Sequence, residues 1–245
     1  PKNGAVTVNA NGTFTYTPTA NFNGTDSFTF KVNDGSADSA PATVTITVNA
    51  INDAPTANAL SITTDEDLAK TGSLTATDID STALTYSKVS DPKSGAVTVD
   101  ANGTFTYTPT ANFNGTDSFT FKANDGSLDS APATVTITVS AVNDAPTANA
   151  LSITTDEDLA KTGTLAATDI DSTALTYLKV TDPKSGAVTV NGNGTFTYTP
   201  TANFNGTDSF TFKANDGSLD SAPATVTITV SAINDAPTAN ALSIT

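Results

Sequence analysis

The sequence predicts an all-β protein built from tandem seven-stranded Greek-key β-sandwiches in an extended array. Three observations lead to this prediction. The tetrad Asn52-Asp53-Ala54-Pro55 recurs at Asn143 and at Asn234, so the repeat is 91 residues long. Apolar side chains alternate with Thr inside each repeat, and Gly- and Asn-rich turn signals separate the alternating segments.

The repeat divides the chain into two complete modules and two partial ones. Residues 52–142 and 143–233 are complete modules that differ at seven positions. Residues 1–51 align with 92–142 and so correspond to the C-terminal part of a module, and residues 234–245 correspond to the first strand of the next. Since residues 1–51 lack the first three strands, we expect disorder there, or completion by residues 234–245 of a neighbouring chain.

Each complete module carries seven alternating segments, which we label strands A to G. Their apolar face and their Thr-rich face fit antiparallel sheets with one solvated side, and two such sheets stack into a sandwich. Turn pairs such as Asn102-Gly103 and Asn114-Gly115 separate them. In module 52–142 the alternating residues are, from A to G, Leu60 and Ile62; Leu74 and Ala76; Leu84 and Tyr86; Val97 and Val99; Phe105 and Tyr107; Phe119 and Phe121; and Val135, Ile137 and Val139.

Composition excludes several classes of function. The net charge of −15 comes mostly from Asp, and the ten basic residues are isolated lysines, which argues against binding to nucleic acid or insertion into a membrane. The chain has no Cys and no His, so thiolate and imidazole metal ligands are absent. Neither a nucleophile–base pair nor a cofactor motif occurs, and we predict no catalytic residue and no enzymatic activity.

Acidic residues gather in the loops next to the linkers. The strands run alternately up and down, and this places the loops at the two ends of each module. The A–B and E–F loops share the lower end of a module, and the B–C and F–G loops share the upper end. Carboxylate and amide oxygens suit Ca²⁺, which takes six to eight oxygen ligands. The predicted ligands are Asp26, Asn52, Asp53, Asp78, Asp80 and Asp125 at the first junction; Asp65, Glu66, Asp67, Asp117, Asn143, Asp144, Asp169, Asp171 and Asp216 at the second; and Asp156, Glu157, Asp158, Asp208, Asn234 and Asp235 at the third.

A plainer interpretation applies to some of these acids. An Asp in a turn often accepts a hydrogen bond from its own backbone, and for Asn124-Asp125-Gly126 and for Asp117 this structural role is as well supported as metal binding. For Asp78, Asp80 and Glu66 the sequence favours metal binding, because Glu66 is one of three acids in a row, Asp65 to Asp67, and the acids of these loops are predicted to converge at the linkers.

The motifs also resemble a known family. Tyr107-x-Pro109, Phe113-x-Gly115, Asp117-x-Phe119 and Asn124-Asp125-Gly126, followed by the Asn-Asp-Ala-Pro linker, resemble the tandem cadherin-like, immunoglobulin-like repeats of giant bacterial surface adhesins. The acidic A–B loop, the Asp-x-Asp after strand B and the linker look like the calcium junctions of cadherins. Ala145 stands where cadherin linkers usually offer another oxygen ligand, which implies fewer ions per junction.

The resemblance implies a secreted protein of the bacterial cell surface. Such repeats form the extender region of type I secreted, RTX-type adhesins, and their nearest partners are the neighbouring repeats. Calcium at the junctions would then stiffen a stalk that projects a distal ligand-binding region. The alternative is that the repeats themselves bind polysaccharide or associate homophilically in cell adhesion or biofilm formation.

Overall fold

The computed structural model describes residues 1–237 together with Ala239 and Ala241, and within that part of the chain it contains strands and no helix. The chain forms two compact units, Pro1–Ala141 and Val142–Thr245. Half of the predicted first strand of a fourth module, residues 234–245, falls on positions outside the described residues.

The first unit contains thirteen strands. They are β1 (Gly4–Val8), β2 (Phe14–Pro18), β3 (Gly24–Phe30), β4 (Ala42–Val48), β5 (Thr56–Ala57), β6 (Leu60–Asp65), β7 (Lys70–Ser73), β8 (Ala76–Thr77), β9 (Thr85–Ser90), β10 (Gly95–Val99), β11 (Thr104–Pro109), β12 (Gly115–Asn124) and β13 (Ala133–Ser140).

The second unit repeats the last nine of these strands. They are β14 (Thr147–Asn149), β15 (Leu151–Asp156), β16 (Lys161–Thr164), β17 (Ala166–Thr168), β18 (Thr176–Thr181), β19 (Gly186–Val190), β20 (Thr195–Pro200), β21 (Gly206–Asn215) and β22 (Ala224–Ser231).

Each complete module is a sandwich of two sheets, which confirms the predicted fold class. In the first unit one sheet has the order β6-β13-β12-β9 and the other the order β10-β11-β7. The second unit has the same orders, β15-β22-β21-β18 and β16-β20-β19. All pairings within these sheets are antiparallel except those of β6 with β13 and of β15 with β22, which are parallel.

Predicted strands A and B are each divided in two, which the sequence pattern did not indicate. Strand A begins as β5, paired with β8, and after Asn58 and Ala59 it continues as β6 in the opposite sheet. Strand B is interrupted at Leu74, whose amide donates to the Gly103 carbonyl (2.8 Å), although its side chain is buried. Leu84, predicted to lie in strand C, immediately precedes β9.

The core consists of the alternating residues that the sequence singles out. In the first unit Phe105, Tyr107, Phe119, Phe121 and Ile137 are buried between the two sheets. The rings of Phe105 and Phe119 pack edge to face, with centroids 5.4 Å apart, a favoured aromatic geometry. In the second unit Phe196 and Phe210 repeat that contact at 5.4 Å.

The partial first module keeps its strands but leaves part of their apolar face uncovered. Strands β1 and β2 form one pair, and β3 and β4 form another. Phe14 and Phe30 are 46% and 38% exposed, whereas the equivalent Phe105 and Phe121 are 2% and 0% exposed. The difference arises because residues 1–51 contain no counterpart of β6, β7 or β9. Whether this module is completed by a neighbouring chain stays a prediction.

Candidate calcium site

The linker in front of each complete module is hydrogen-bonded to two loops at the upper end of that module. In the first unit the Asp53 amide donates to Asp80 Oδ2 (2.8 Å) in the B–C loop, residues 78–84. Asn52 Nδ2 donates to Asp125 Oδ2 (2.8 Å) in the F–G loop, residues 125–132. We call this group of residues the linker-loop cluster: Asn52, Asp53, Asp78, Asp80 and Asp125 in the first unit, and Asn143, Asp144, Asp169, Asp171 and Asp216 in the second.

The second unit reproduces this geometry. The Asp144 amide donates to Asp171 Oδ2 (2.8 Å), and Asn143 Nδ2 donates to Asp216 Oδ2 (2.7 Å). The prediction that the linker, the B–C loop and the F–G loop share one end of the module is therefore confirmed within each unit.

Asp78 and Asp169 each have one carboxylate oxygen in use and one that is buried without a partner. Asp78 Oδ1 accepts the amides of Asp80 (2.7 Å) and Ser81 (2.8 Å), which fixes the turn after β8. Asp169 Oδ1 does the same for Asp171 and Ser172. Oδ2 of Asp78 and Oδ2 of Asp169 are buried and accept no hydrogen bond from any described residue. Such an oxygen is costly unless something positively charged or protic meets it.

Asp125 and Asp216 differ from these residues because both of their oxygens are engaged. Asp125 Oδ1 accepts the amides of Ser127 (2.6 Å) and Leu128 (2.7 Å), while Oδ2 accepts Asn52 Nδ2. The Leu128 amide, the Asn52 side chain and the Ser127 amide hold the pKa of Asp125 below its ordinary value. The same three kinds of donor, from Leu219, Asn143 and Ser218, lower the pKa of Asp216.

The lysines compensate a different set of carboxylates. Among the described residues five lysines form ion pairs, and their partners are Asp38, Asp91, Asp129, Asp182 and Asp220. These aspartates are outside the predicted metal ligands. Each linker-loop cluster combines four carboxylates and one amide side chain, which are oxygen donors of the kind that Ca²⁺ takes.

The acidic A–B loops lie at the lower end of each module, together with the E–F loop as predicted. Asp67 has a positive φ of 60°, and its Oδ1 accepts the Asn112 amide (3.0 Å) across the two loops. In the second unit the Asn203 amide donates to Asp158 Oδ1 at the same distance. Glu66 and Glu157 are buried, whereas Asp65 and Asp156 are exposed at the ends of β6 and β15.

Sequence reasoning missed the asparagines of the E–F loop. Asn114 Nδ2 approaches Glu66 Oε2 (3.4 Å), and Asn205 Nδ2 approaches Glu157 Oε2 (3.5 Å). Glu157 Oε1 also accepts the Ile233 amide (2.6 Å), just before the linker residues Asn234 and Asp235. The available signal was the repeated Asn-x-Asn-Gly of this loop, a pattern that is also typical of a turn.

Asp26, Asp117 and Asp208 have a structural role, which for Asp117 the sequence supported as well as metal binding. Asp117 lies inside β12 and is buried, with Oδ1 accepting the Lys93 amide (2.9 Å) and the Ser118 amide (2.8 Å). Its Oδ2 accepts the Ser94 amide (2.9 Å) and the Tyr107 hydroxyl (3.0 Å). Asp26 and Asp208 make the equivalent four contacts. Since donors already surround these carboxylates, we leave them out of the ligand set.

This buried carboxylate joins three parts of the sandwich. Burial alone would raise the pKa of Asp117, but the Lys93, Ser94 and Ser118 amides and the Tyr107 hydroxyl outweigh it and hold the pKa below the ordinary value. Burial, assisted by the hydrogen bond to Asp117, raises the pKa of Tyr107. Asp117 therefore stays ionised and ties the turn before β10 to β11 and β12.

Two stacked sheets with an acidic cluster at each linker define a tandem array of immunoglobulin-type repeats with oxygen-rich loops. Comparison with known families agrees: the bacterial Ig domain family matches residues 52–138 and 143–229, and the chain belongs to that family. The bacterial cadherin-like domain family matches residues 1–50. The predicted resemblance to tandem cadherin-like and Ig-like repeats is thereby confirmed, and repeats of these families are typically structural and extracellular.

Two curated relatives come from Dictyostelium discoideum. Integrin beta-like protein B is 31% identical over 210 residues, which cover 76% of this chain and 10% of that protein. Integrin beta-like protein A is 30% identical over 216 residues, covering 69% of this chain and 11% of that protein. The chain thus spans about a tenth of the length of the curated relatives it matches.

Solved cadherin structures share the fold. Human CDH23 EC21-23 superposes with a TM-score of 0.57 at 19% identity, covering 92% of this chain and 81% of that one. Protocadherin Gamma B2 extracellular cadherin domains 1-5 give a TM-score of 0.54 at 18% identity, covering 95% of this chain and 52% of that one. Among the described residues there is also no helical segment with the length and apolarity needed to traverse a bilayer.

The buried carboxylate gives a first prediction. Replacing Tyr107 and Tyr198 by Phe removes the hydroxyl that donates to Asp117 and Asp208, and we expect the free energy of unfolding to fall by about 1–2 kcal/mol per module in urea denaturation. Because the pKa of Asp117 is lowered in the folded state, this contribution is present above the ordinary aspartate pKa and is lost as the pH falls through the folded value. Tyr86→Phe with Tyr177→Phe, at half-buried rings that pack on Phe121 and Phe212, is the matched control. An equal loss in the control would contradict the assignment.

A second prediction concerns the unpartnered oxygens in the absence of divalent cations. In excess chelator, Asp78→Asn with Asp169→Asn should leave the melting temperature unchanged or raise it. Asn keeps the Oδ1 acceptor of the turn and removes a buried charge that no described residue compensates. Differential scanning calorimetry checks this, with Asp91→Asn and Asp182→Asn as the control for removing the same charge at an exposed ion pair. A clear destabilisation by Asp78→Asn and Asp169→Asn alone would refute it.

Proposed function

We propose that these modules are extender repeats of a secreted bacterial surface adhesin and that Ca²⁺ bound at the linkers stiffens the stalk which they form. The distal region that such a stalk would project, and its anchor, belong to the longer protein. The adhesive character of the repeats is supported by the bacterial Ig and cadherin-like families and by the integrin beta-like relatives.

The observation that carries the proposal is the buried, unpartnered Oδ2 of Asp78 and of Asp169. It lies in a cluster whose other acidic groups hold the linker, so a cation bound there would act directly on the segment between modules. A spatially separate acidic surface would have no such mechanical consequence.

The remaining ligands in this proposal come from both ends of the modules. From the upper end we include Asp53, Asp78 and Asp80 and, in the second unit, Asp144, Asp169 and Asp171. From the lower end we include the acidic A–B loops, Asp65 to Asp67 and Asp156 to Asp158, and the linker residues Asn234 and Asp235. Calcium takes six to eight oxygens, and we propose that these loops together supply them.

The near-identity of the modules supports a spacer role. Modules 52–142 and 143–233 differ at only seven positions, so neither carries a distinct side-chain set of its own. A spacer requires length and equivalent joints, and identical copies in a linear array provide both.

Direct binding of polysaccharide is less well supported. A sugar-binding face typically presents aromatic rings to solvent, but Phe105, Tyr107, Phe119 and Phe121 and their equivalents in the second unit are in the core. The cadherin-like neighbours are consistent with repeat-to-repeat or homophilic contacts. Sedimentation of the chain in calcium would reveal homophilic association as a concentration-dependent increase in mass.

The experiment that tests the stalk is small-angle scattering of the chain in millimolar calcium and in excess chelator, with thermal melts on the same samples. We expect a longer, better-defined maximum dimension and a higher melting temperature in calcium. A gain of about 3–4 kcal/mol corresponds to calcium at 100 to 1,000 times its dissociation constant.

The matched variants make the result specific. Asp78→Asn with Asp169→Asn should abolish most of the calcium-dependent change in both dimension and melting temperature, whereas Asp91→Asn with Asp182→Asn should respond to calcium like the parent chain. If calcium changes neither shape nor stability of the parent chain, the proposed function is wrong.

A further inference from the structure

We propose that Asn191 is a site of spontaneous deamidation, in which the backbone amide of Gly192 attacks the neighbouring side chain. Both residues are exposed, in the turn that joins β19 to β20. Gly192 has no Cβ, and a Cβ at this position would contact no described residue beyond its chain neighbours, so the backbone here is open to movement. The site is outside the linker-loop cluster, and the proposal does not depend on calcium.

The reaction needs water and no enzyme, oxidant or reductant. The Gly192 nitrogen forms a bond to Cγ of Asn191 and gives its proton to water, while Nδ2 takes a proton and leaves as ammonia. The cyclic succinimide that results is then hydrolysed. If water breaks the bond between the nitrogen and Cγ, residue 191 becomes aspartate. If water breaks the bond to the backbone carbonyl carbon, the residue becomes isoaspartate, and the chain continues through its side chain.

The Gly192 amide is available for this attack. It donates a hydrogen bond to no described residue, whereas the Gly194 amide, in the second Asn-Gly pair of the same turn, donates to the Asn191 carbonyl (2.9 Å). Asn193 Oδ1 also accepts the amide (3.1 Å) and the hydroxyl (2.7 Å) of Thr195. Attack on Asn193 must therefore free both the nucleophile and the side chain. At Asn191 the nucleophile is free, and the bond from Nδ2 to the Thr195 hydroxyl (2.9 Å) is what holds the side chain.

The partial first module contains a matched comparison for the residue that follows the asparagine. Asn9 Nδ2 donates to the Thr13 hydroxyl at 2.9 Å, the same distance as for Asn191 and Thr195. Asn9 is followed by Ala10, however, and the Ala side chain hinders the approach of the backbone nitrogen to Cγ. Because the side-chain contact is the same at both positions, a difference in rate between Asn191 and Asn9 measures the effect of the following residue.

Backbone contacts hold the other Asn-Gly pairs. In two of them the Gly amide donates to a turn carbonyl, from Gly12 to Asn9 (3.0 Å) and from Gly103 to Asp100 (2.9 Å). In the remaining pairs the Gly is the first residue of a paired strand, and ring closure would pull its nitrogen away from the partner strand. These pairs are Asn3-Gly4, Asn23-Gly24, Asn114-Gly115 and Asn205-Gly206.

The two products differ in what they do to the turn. In the other complete module Asp100 stands at the position of Asn191, and its Oδ2 accepts the Thr104 hydroxyl (3.0 Å), so the turn accommodates aspartate. Isoaspartate instead adds a carbon to the backbone just before Gly192, whose carbonyl accepts the Tyr177 amide (3.1 Å) of β18. We expect the aspartate product to keep the stability of the module and the isoaspartate product to lower it.

The test incubates the folded full chain in mildly alkaline buffer and follows each asparagine by peptide mass spectrometry, because replacing the amide by a carboxyl group changes the peptide mass. We expect Asn191 to react first, and at least about tenfold faster than Asn193, as for the cost of breaking one hydrogen bond. Asn9 should react more slowly than Asn191. In urea, where the contacts of the fold are lost, Asn191 and Asn193 should react at similar rates because both precede Gly.

Gly192→Ala is the matched variant. Gly192 does not have a positive φ, and Ala101 occupies the equivalent turn position in the other complete module, so the variant should keep the fold. The rate at Asn191 should then fall to that of Asn9. Equal or faster reaction of Asn193 in the folded chain overturns the proposal, and so does an unchanged rate at Asn191 in the Gly192→Ala chain.

Discussion

The parallel pairing of β6 with β13, and of β15 with β22, determines which loops lie beside the chain where it leaves each module. In the first unit β6 runs beside β13 from Leu60 opposite Val135 to Asp65 opposite Ser140, and the Glu66 amide then donates to the Ser140 carbonyl (2.9 Å). The chain therefore leaves the module beside its own acidic A–B loop. It enters at the other end, where the linker meets the B–C and F–G loops. If strand A had stayed paired with β8 along its whole length, the A–B loop would lie on a different sheet from the end of β13, where the chain leaves the module.

Aspartate has three different roles in each module, and all of them depend on the carboxylate as a hydrogen-bond acceptor. At Asp117 it is buried and accepts amide and phenol donors, which stabilises the ionised form inside the sandwich. At Asp125 it closes a turn and accepts the linker amide side chain. At Asp78 one oxygen closes a turn and the other has no donor. The local supply of N–H groups, not the side chain itself, separates structural carboxylates from those available to a cation.

This distinction explains how much of the molecule the sequence could predict. Period-two alternation identifies the core because a residue such as Phe119 or Ile137 must face inward on a strand, and the repeat gives the modular order. The division of strand A into β5 and β6 depends on the pairing of β6 with β13, a tertiary contact. The residues from Thr56 to Leu60 therefore carry no sequence pattern that would indicate the division. For Asp117 the sequence left metal binding and a structural role open, because an acid beside a turn looks the same whether its side chain points inward or outward. Asn114 was missed because a neutral amide beside a glycine is typical of a turn.

The difference between carboxylates with and without donors also relates the stability of a module to the proposed joint. A buried oxygen without a donor, as at Asp78, costs folding free energy in the absence of a cation, whereas the saturated Asp125 and Asp117 carboxylates stabilise the fold with or without one. Under the proposed function, cation binding therefore relieves a cost inside the module and joins modules at the same time. The cost falls on the B–C loop and not on the core, so the core packing of the sandwich does not depend on the cation. Under the same proposal, the joint would become stiff only where calcium is abundant, outside the cell that would export the chain.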